Sequence, residues 1–311
     1  MHLRLRAATA AAVGLGALTF SQVVTPAAHA STVASERASV PPPTGIVAAG
    51  AELINAGNGH LLWGRAADTK RPMASITKIM TAIVVIKAGH LDRKIRVSAA
   101  AENYALNHGA GSAGLHPGDL LTTRQLLEGL LVPSGADAAY LLAHAYGPGW
   151  RAFVHKMNVM AGKLDMTRTH FANFDGLPWP TQSSTYSTPR NLIRMGKYAM
   201  RMPTISQIVD QRTHFIAATS QHHSYYWKNT DLLLSRYRGA IGIKTGFTSG
   251  AGYCLLFEAR RNGHELMGVV LDSTSTNPAT RFTAAARLLN WGFRVALAPA
   301  TGAGATTEPA S

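Results

Sequence analysis

The sequence predicts an α/β protein of the α+β type: a five-stranded antiparallel sheet flanked by helices, plus a mostly helical subdomain. Three observations carry this. Short apolar runs stand near both ends of the chain, at 46–54 and 61–65 early, and at 240–246, 252–260 and 264–272 late. The stretch between them is spaced as helices, in segments that start at capping residues or stop at Gly or Pro. Asn262-Gly263, between the last two runs, is a two-residue hairpin signal, so those runs are antiparallel neighbours. An N-terminal hairpin can then join the three C-terminal strands in one sheet, with helices over its faces.

Taken in order, the chain opens with Arg4 and Arg6, an Ala-rich apolar run from about Ala7 to Val24, and Ala28-His29-Ala30, a small-x-small cleavage pattern. Residues 1–30 therefore read as a secretory signal. Residues 31–44 contain Pro41-Pro42-Pro43 among small polar residues and read as an extended linker. The folded region is expected over 45–297. Its first two strands flank Asn55-Ala56-Gly57-Asn58-Gly59, a hairpin loop. A helix follows, carrying Ser75 and Lys78 at its start and ending near Ala88-Gly89.

Residues 102–121 read as loop. Gly109, Gly111 and Gly114 imitate a dinucleotide fingerprint, but no apolar strand precedes them and His116-Pro117-Gly118 follows where a helix should begin. Helices are expected over 123–131 and 136–145, separated by Pro133 and a Ser134-Gly135 turn. Further helices are expected over 150–164 and after Thr188-Pro189, a cap residue with proline at the first helical position. Strand signals resume beyond Thr213, and a last helix spans about 279–293. The tail, 298–311, is small and polar and is expected to be disordered.

The formal net charge is +14. An exported basic chain has no nucleic acid to meet, so the charge reads either as a site for an anionic cell-wall polymer or a membrane surface, or as a solvated basic surface with no partner. The single cysteine, Cys254, lies in the apolar run Tyr253 to Phe257, which rules out an internal disulfide and suggests a buried strand residue. The histidines form no His-Glu-x-x-His pattern, and adjacent His222 and His223 would point to opposite faces of a strand. No metal or other cofactor is expected.

The chemistry centres on Ser75 and Lys78. Three apart on a helix, they share a face and their side chains can touch. A serine hydroxyl is a poor nucleophile, but a lysine amine kept partly neutral by burial or by another cation can take its proton. Lys244, Thr245 and Gly246 end a predicted strand. There a lysine and a hydroxyl could bind an anionic substrate group, and a glycine lets a substrate backbone approach. Taken singly, Lys244 could be a solvated edge charge and Ser134 a helix cap.

Together and in this order, Ser75-Ile76-Thr77-Lys78, Ser134-Gly135-Ala136 and Lys244-Thr245-Gly246 resemble the three motifs of the penicillin-binding proteins and serine β-lactamases. Phe174-Asp175-Gly176, Tyr186 to Arg190, Trp227-Lys228-Asn229-Thr230 and Gly239 to Gly246 narrow the resemblance to the low-molecular-mass D-alanyl-D-alanine carboxypeptidases. It is strongest to the single-domain actinomycete DD-peptidases and covers about Gly45 to Leu297. The resemblance implies the β-lactamase/DD-peptidase fold and a catalytic cycle. Ser75 attacks the carbonyl between the two terminal D-alanines of a peptidoglycan stem peptide, and Lys78 is its base. Ser134 relays a proton to the leaving amine, and Lys244 and Thr245 hold the terminal carboxylate. The N–H groups of Ser75 and Phe247 form the oxyanion hole. β-Lactams would act as covalent inhibitors.

One position departs from the family. The third residue of the middle motif is usually Asn, and Ala136 brings no amide to bind substrate or orient Lys78. That leaves open a DD-transpeptidase and a non-catalytic wall-binding module; a β-lactamase is a further alternative, although it would need the Ser-Asp-Asn that Ser134-Gly135-Ala136 does not supply.

Overall fold

The computed structural model describes residues 40–297. The expected signal segment, most of the linker and the tail lie outside the described residues. What remains of the linker is fastened to the fold: Trp291 Nε1 donates to Pro41 O (2.6 Å), and Arg287 donates to Gly45 O.

Strands β1 (Gly50–Asn55) and β2 (Leu61–Arg65) form the N-terminal hairpin. Asn55 Oδ1 shapes its loop by accepting from the N–H groups of Gly57 and Asn58. β1 starts four residues later than the apolar run implies, because Ile46 and Ala48 are buried beneath the last helix instead. β3 (Arg71–Pro72) leads into a tight helical turn at Ala74–Ile76 that runs straight into α1 (Thr77–Ala88). Nine of the twelve α1 residues are buried, so this helix is packed almost all round rather than along one stripe.

The stretch expected to be loop is partly ordered. β4 (Lys94–Arg96) pairs with β5 (Leu120–Thr122), and Ala99–Asn107 is a helix, α2. Alanine favours helix without supplying an apolar stripe, which is why α2 escapes a search for periodicity. Gly109, Gly111 and Gly114 follow that helix, and no helix opens after them.

α3 (Thr123–Leu131) begins in a capping box made by Thr122 and Gln125. α4 (Ala136–Tyr146) and α5 (Trp150–Lys163) complete the helical block. β6 (Tyr186–Ser187) pairs with β3. Thr188 accepts from Asn191 N–H to cap α6 (Pro189–Met200), and α7 (Pro203–Val209) follows. β7 (Thr213–Ile216) and β8 (Tyr225–Lys228) pair with each other as a separate ribbon. His222 and His223 lie in the connection between them, not on a strand; His223 Nδ1 meets Asp119 Oδ1 at 2.9 Å.

After α8 (Leu233–Arg236) come β9 (Ala240–Thr248), β10 (Gly252–Arg261), β11 (His264–Leu271) and α9 (Thr280–Leu297). The five-stranded antiparallel sheet has the order β2-β1-β11-β10-β9, so strands from the two chain ends meet at β1 and β11. Asn262 (φ 50°) and Gly263 (φ 76°) make the β10–β11 turn with the positive φ pair such a hairpin needs. Both faces are covered. Along β10, Leu255, Phe257 and Ala259 pack with Phe282, Leu288 and Leu289 of α9, while Cys254 and Leu256 face the helical block. That period of two, with both sides apolar, explains the unbroken run Cys254 to Phe257. β9 is left as an edge strand, and its free side faces the turn that carries Ser75.

Candidate active site

Ser75 sits in the tight turn entering α1, where Ala74 is held at φ 47°. One turn on, Lys78 Nζ is hydrogen-bonded to Ser75 Oγ at 2.9 Å and reaches the Asp175 backbone oxygen at 3.5 Å. Lys78 is only 1 % exposed. Burial lowers its pKa from the ordinary lysine range, and the nearby carboxylates of Asp175 and Asp137 pull the other way. A buried amine with a lowered pKa beside a serine hydroxyl is the arrangement proton abstraction requires.

Lys244 comes from β9 and is equally buried. Its Nζ donates to Thr245 O (3.2 Å). Its pKa falls well below the usual value, first through burial and then through repulsion from Lys78 and Arg281, with Asp231 opposing. The third motif therefore points into the same site as the first. Burial lowers the pKa of both lysines, and their mutual repulsion adds to it.

The edge geometry of β9 follows from its register. Phe247 pairs with Tyr253, whose N–H donates to Thr274 O and whose carbonyl accepts from Ser273, both away from β9. Phe247 and Tyr253 are thus a non-hydrogen-bonded antiparallel pair, and the Phe247 N–H and C=O face the open edge. The Phe247 ring is 44 % exposed and stacks on Tyr253 with centroids 4.2 Å apart. Gly246 is where β9 touches the Ser75 turn: a Cβ there would lie 2.8 Å from Met73 O and 3.2 Å from Ser75 N. The close backbone approach expected of a substrate at Gly246 is made by the protein itself.

Ser134 occupies the turn between α3 and α4 with φ 68°, half-buried. The turn is tied to β9 in two steps: Thr230 N–H donates to Val132 O (3.2 Å), and Thr230 Oγ1 shares a hydrogen with Thr245 Oγ1 (2.6 Å). Behind it, buried Asp137 accepts from Ser112 Oγ (2.7 Å) and from the N–H groups of Ala113 and Leu115. Those bonds draw the 112–115 loop over the start of α4. Ala136 is fully buried there, its N–H donating to Gly111 O (2.8 Å).

Asp231, Arg281 and Tyr104 carry no motif legible in advance, whereas Asp175 belongs to the Phe174-Asp175-Gly176 segment read from the sequence. Asp231 is buried behind Lys244, with burial pushing its carboxyl up to about 6. Arg281, from α9, donates to Gly246 O (3.1 Å) and lies over the rings of Tyr253 and Phe282. Asp175 flanks Lys78 from the loop after α5, and Tyr104 of α2 donates to its carboxylate. Cys254 is fully buried with its thiol pushed up to about 12, in keeping with a packed strand residue. Among the described residues, no cluster of three or more His, Cys, Asp or Glu could hold a metal ion, and no helix is long and apolar enough to cross a membrane.

A half-buried serine hydrogen-bonded to a buried lysine at the head of a central helix, with a lysine-bearing edge strand across from it, is the arrangement a serine acyl-transfer site of the penicillin-binding class requires. Residues 35–275 match the D-alanyl-D-alanine carboxypeptidase family, and the chain belongs to that family. It is similar to a D-alanyl-D-alanine carboxypeptidase of Streptomyces sp. (strain K15), 40% identical over 94% of this chain and 99% of that protein. It is also similar to one of Mycobacterium tuberculosis, 35% identical over 76% of this chain and 79% of the relative. The crystal structure of the Streptomyces K15 DD-transpeptidase superposes with a TM-score of 0.76 at 40% identity, covering 81% of this chain and 99% of that one. The fold is thus the DD-peptidase fold.

Proposed function

We propose that this chain is a serine-type D-alanyl-D-alanine carboxypeptidase that trims peptidoglycan stem peptides through an acyl-enzyme on Ser75. The observation that carries this is the 2.9 Å contact between Lys78 Nζ and Ser75 Oγ in a buried site that also receives Lys244.

The substrate's terminal carboxylate binds at Lys244 and Thr245, with Arg281 as a second cation beside the strand. Lys78 takes the Ser75 proton as Oγ attacks the carbonyl between the two D-alanines. The resulting oxyanion is held by the Ser75 and Phe247 N–H groups. Ser134 passes a proton to the departing amine as the C–N bond breaks, releasing D-alanine. Water then attacks the ester, its proton returns by way of Lys78, and Ser75 is freed. Gly246 contributes by keeping β9 against the Ser75 turn. Residues 45–297 form the catalytic domain in this reading.

The substrate places the protein outside the cytoplasm at the wall, which is where the export signal read in residues 1–30 would deliver it. The basic balance of the chain suits contact with anionic wall polymer. A second reading, transfer of the acyl group to an amine, is favoured by one finding: Streptomyces K15 is the source both of a protein named as a carboxypeptidase and of one named as a DD-transpeptidase.

Mass spectrometry tests these together. The protein is incubated with diacetyl-Lys-D-Ala-D-Ala, with and without glycine as acceptor. Loss of D-alanine supports the peptidase, and a glycine adduct of the peptide supports transfer. A penicillin adduct on Ser75 lasting minutes excludes a β-lactamase. No adduct at all would leave only a wall-binding module.

A further inference from the structure

Lys78 is embedded from four sides. Ser75 lies on its own turn, Asp137 on α4, Lys244 on β9, and Asp175 on the loop after α5. The Asp175 loop is built as a rigid wall. Asn173 Oδ1 accepts from Gly176 N–H (2.7 Å), and Asn173 Nδ2 donates to Leu177 O (2.8 Å) and Trp179 O (2.6 Å). Thr81 Oγ1 donates to Phe174 O, fixing the loop to α1. Gly176, at φ 81°, lies so close to the Ser75 turn that a Cβ would fall 2.6 Å from Thr77 Oγ1.

Within this wall the Asp175 carboxylate is fully buried and both its oxygens are occupied. Oδ2 accepts from Tyr104 OH (2.8 Å), and Oδ1 accepts from Leu177 N–H (3.1 Å). Tyr104 is held in turn by Trp179 Nε1, which donates to its oxygen at 2.9 Å. Lys78 Nζ meets the Asp175 backbone oxygen, not the carboxylate. The charge therefore acts on Lys78 across a short gap, without an ion pair.

That separation has a chemical consequence. A carboxylate in direct contact would keep the lysine protonated and disable it as a base. No carboxylate at all would leave a bare, uncompensated ammonium in a dry site once the proton arrives. We propose that Asp175 is a positioning residue for acylation: clamped by Tyr104 and Leu177, its carboxylate supplies the counter-charge to the Lys78 ammonium formed when the amine takes the Ser75 proton. This rests on the Ser75–Lys78 chemistry proposed above.

The groups facing Asp175 itself are Tyr104 of α2, His108 at the C-terminal cap of that helix, and Lys78 of α1. Burial raises its pKa and Lys78 lowers it, while burial and the carboxylate raise that of Tyr104. The tyrosine thus stays a hydrogen-bond donor throughout the working pH range.

The test measures acylation by a labelled penicillin against pH for the wild type, Asp175→Asn and Tyr104→Phe. Asp175→Asn keeps an acceptor for Leu177 and removes the charge. Its acylation rate should fall about ten-fold at pH 8. The acidic limb of its profile should move about one unit lower, because an amine without a nearby anion loses its proton more readily. Tyr104→Phe keeps the ring and loosens the clamp, and should slow acylation about ten-fold while still reaching one label per chain. Should Asp175→Asn fail to fold, Tyr104→Phe carries the test. Rates at the wild-type level would overturn the proposal. So would a uniform loss in Asp175→Asn with an unmoved limb, which would mark Asp175 as structural only. A wild type that takes no label would remove the Ser75 chemistry itself, and this inference with it.

Discussion

Gly246→Ala tests the contact between β9 and the Ser75 turn most directly. The added methyl would stand 2.8 Å from Met73 O, 3.1 Å from Ala74 Cβ and 3.2 Å from Ser75 N. Two of those atoms are backbone, and the turn is pinned from behind by buried α1, so neither side has a flexible side chain to give way. β9 and the turn must move apart by several tenths of an ångström. That gap sets the spacing between the Phe247 and Ser75 N–H groups, the two donors of the proposed oxyanion hole. Losing alignment of one such donor costs about 10²-fold in rate. At about 1.4 kcal/mol per decade, that is about 2.7 kcal/mol of transition-state stabilisation. Overpacking also lowers stability, by about 1–3 kcal/mol. The assay is the second-order rate of penicillin acylation by stopped-flow, with thermal melting as the check on folding. A folded Gly246→Ala protein that acylates within a factor of three of the wild type would refute the proposed geometry.

Other expectations follow from the same site. Ser75→Ala should abolish the penicillin adduct, and Lys78→Met should slow acylation by about 10³-fold or more; intact mass against time measures both. Lys78→Met should also raise Tm at pH 7. The folded lysine has a lowered pKa, so the unfolded state binds the proton more tightly and stability is lost as pH falls from the unfolded value through the folded one. The gain in Tm should shrink as the pH approaches 10. For Lys244 the sign runs through binding. Its ammonium must be charged to hold a carboxylate, and its pKa is lowered, so KM for a D-Ala-D-Ala peptide should rise with pH on the alkaline side; a pH series of KM decides it. Cys254 should resist iodoacetamide in the native protein at pH 8 and react fully only after denaturation, as its burial and raised pKa require.

Much of the site is legible in the chain because its chemistry is local. Ser75 and Lys78 are three residues apart on one helix, so their contact needs only the helix. Thr188 with Pro189, and Asn262 with Gly263, fix a helix start and a turn through neighbouring atoms, and each stands where the sequence places it. α2 was not legible, because an alanine-rich helix with two buried residues leaves no apolar rhythm.

The sequence by itself determined the contact between Ser75 and Lys78, the antiparallel hairpin at the C-terminal end, and the order of three motifs that resembles a known family. Only the tertiary structure decided that Lys244 is buried near Lys78, with Asp231 behind it. The same holds for Arg281 reaching back to Gly246 O, for Asp175 held at a distance by Tyr104, and for Gly246 serving the protein's own backbone. These depend on burial and on contacts between residues far apart in the chain. A charge changes meaning when water is excluded from around it, and no local pattern records that exclusion.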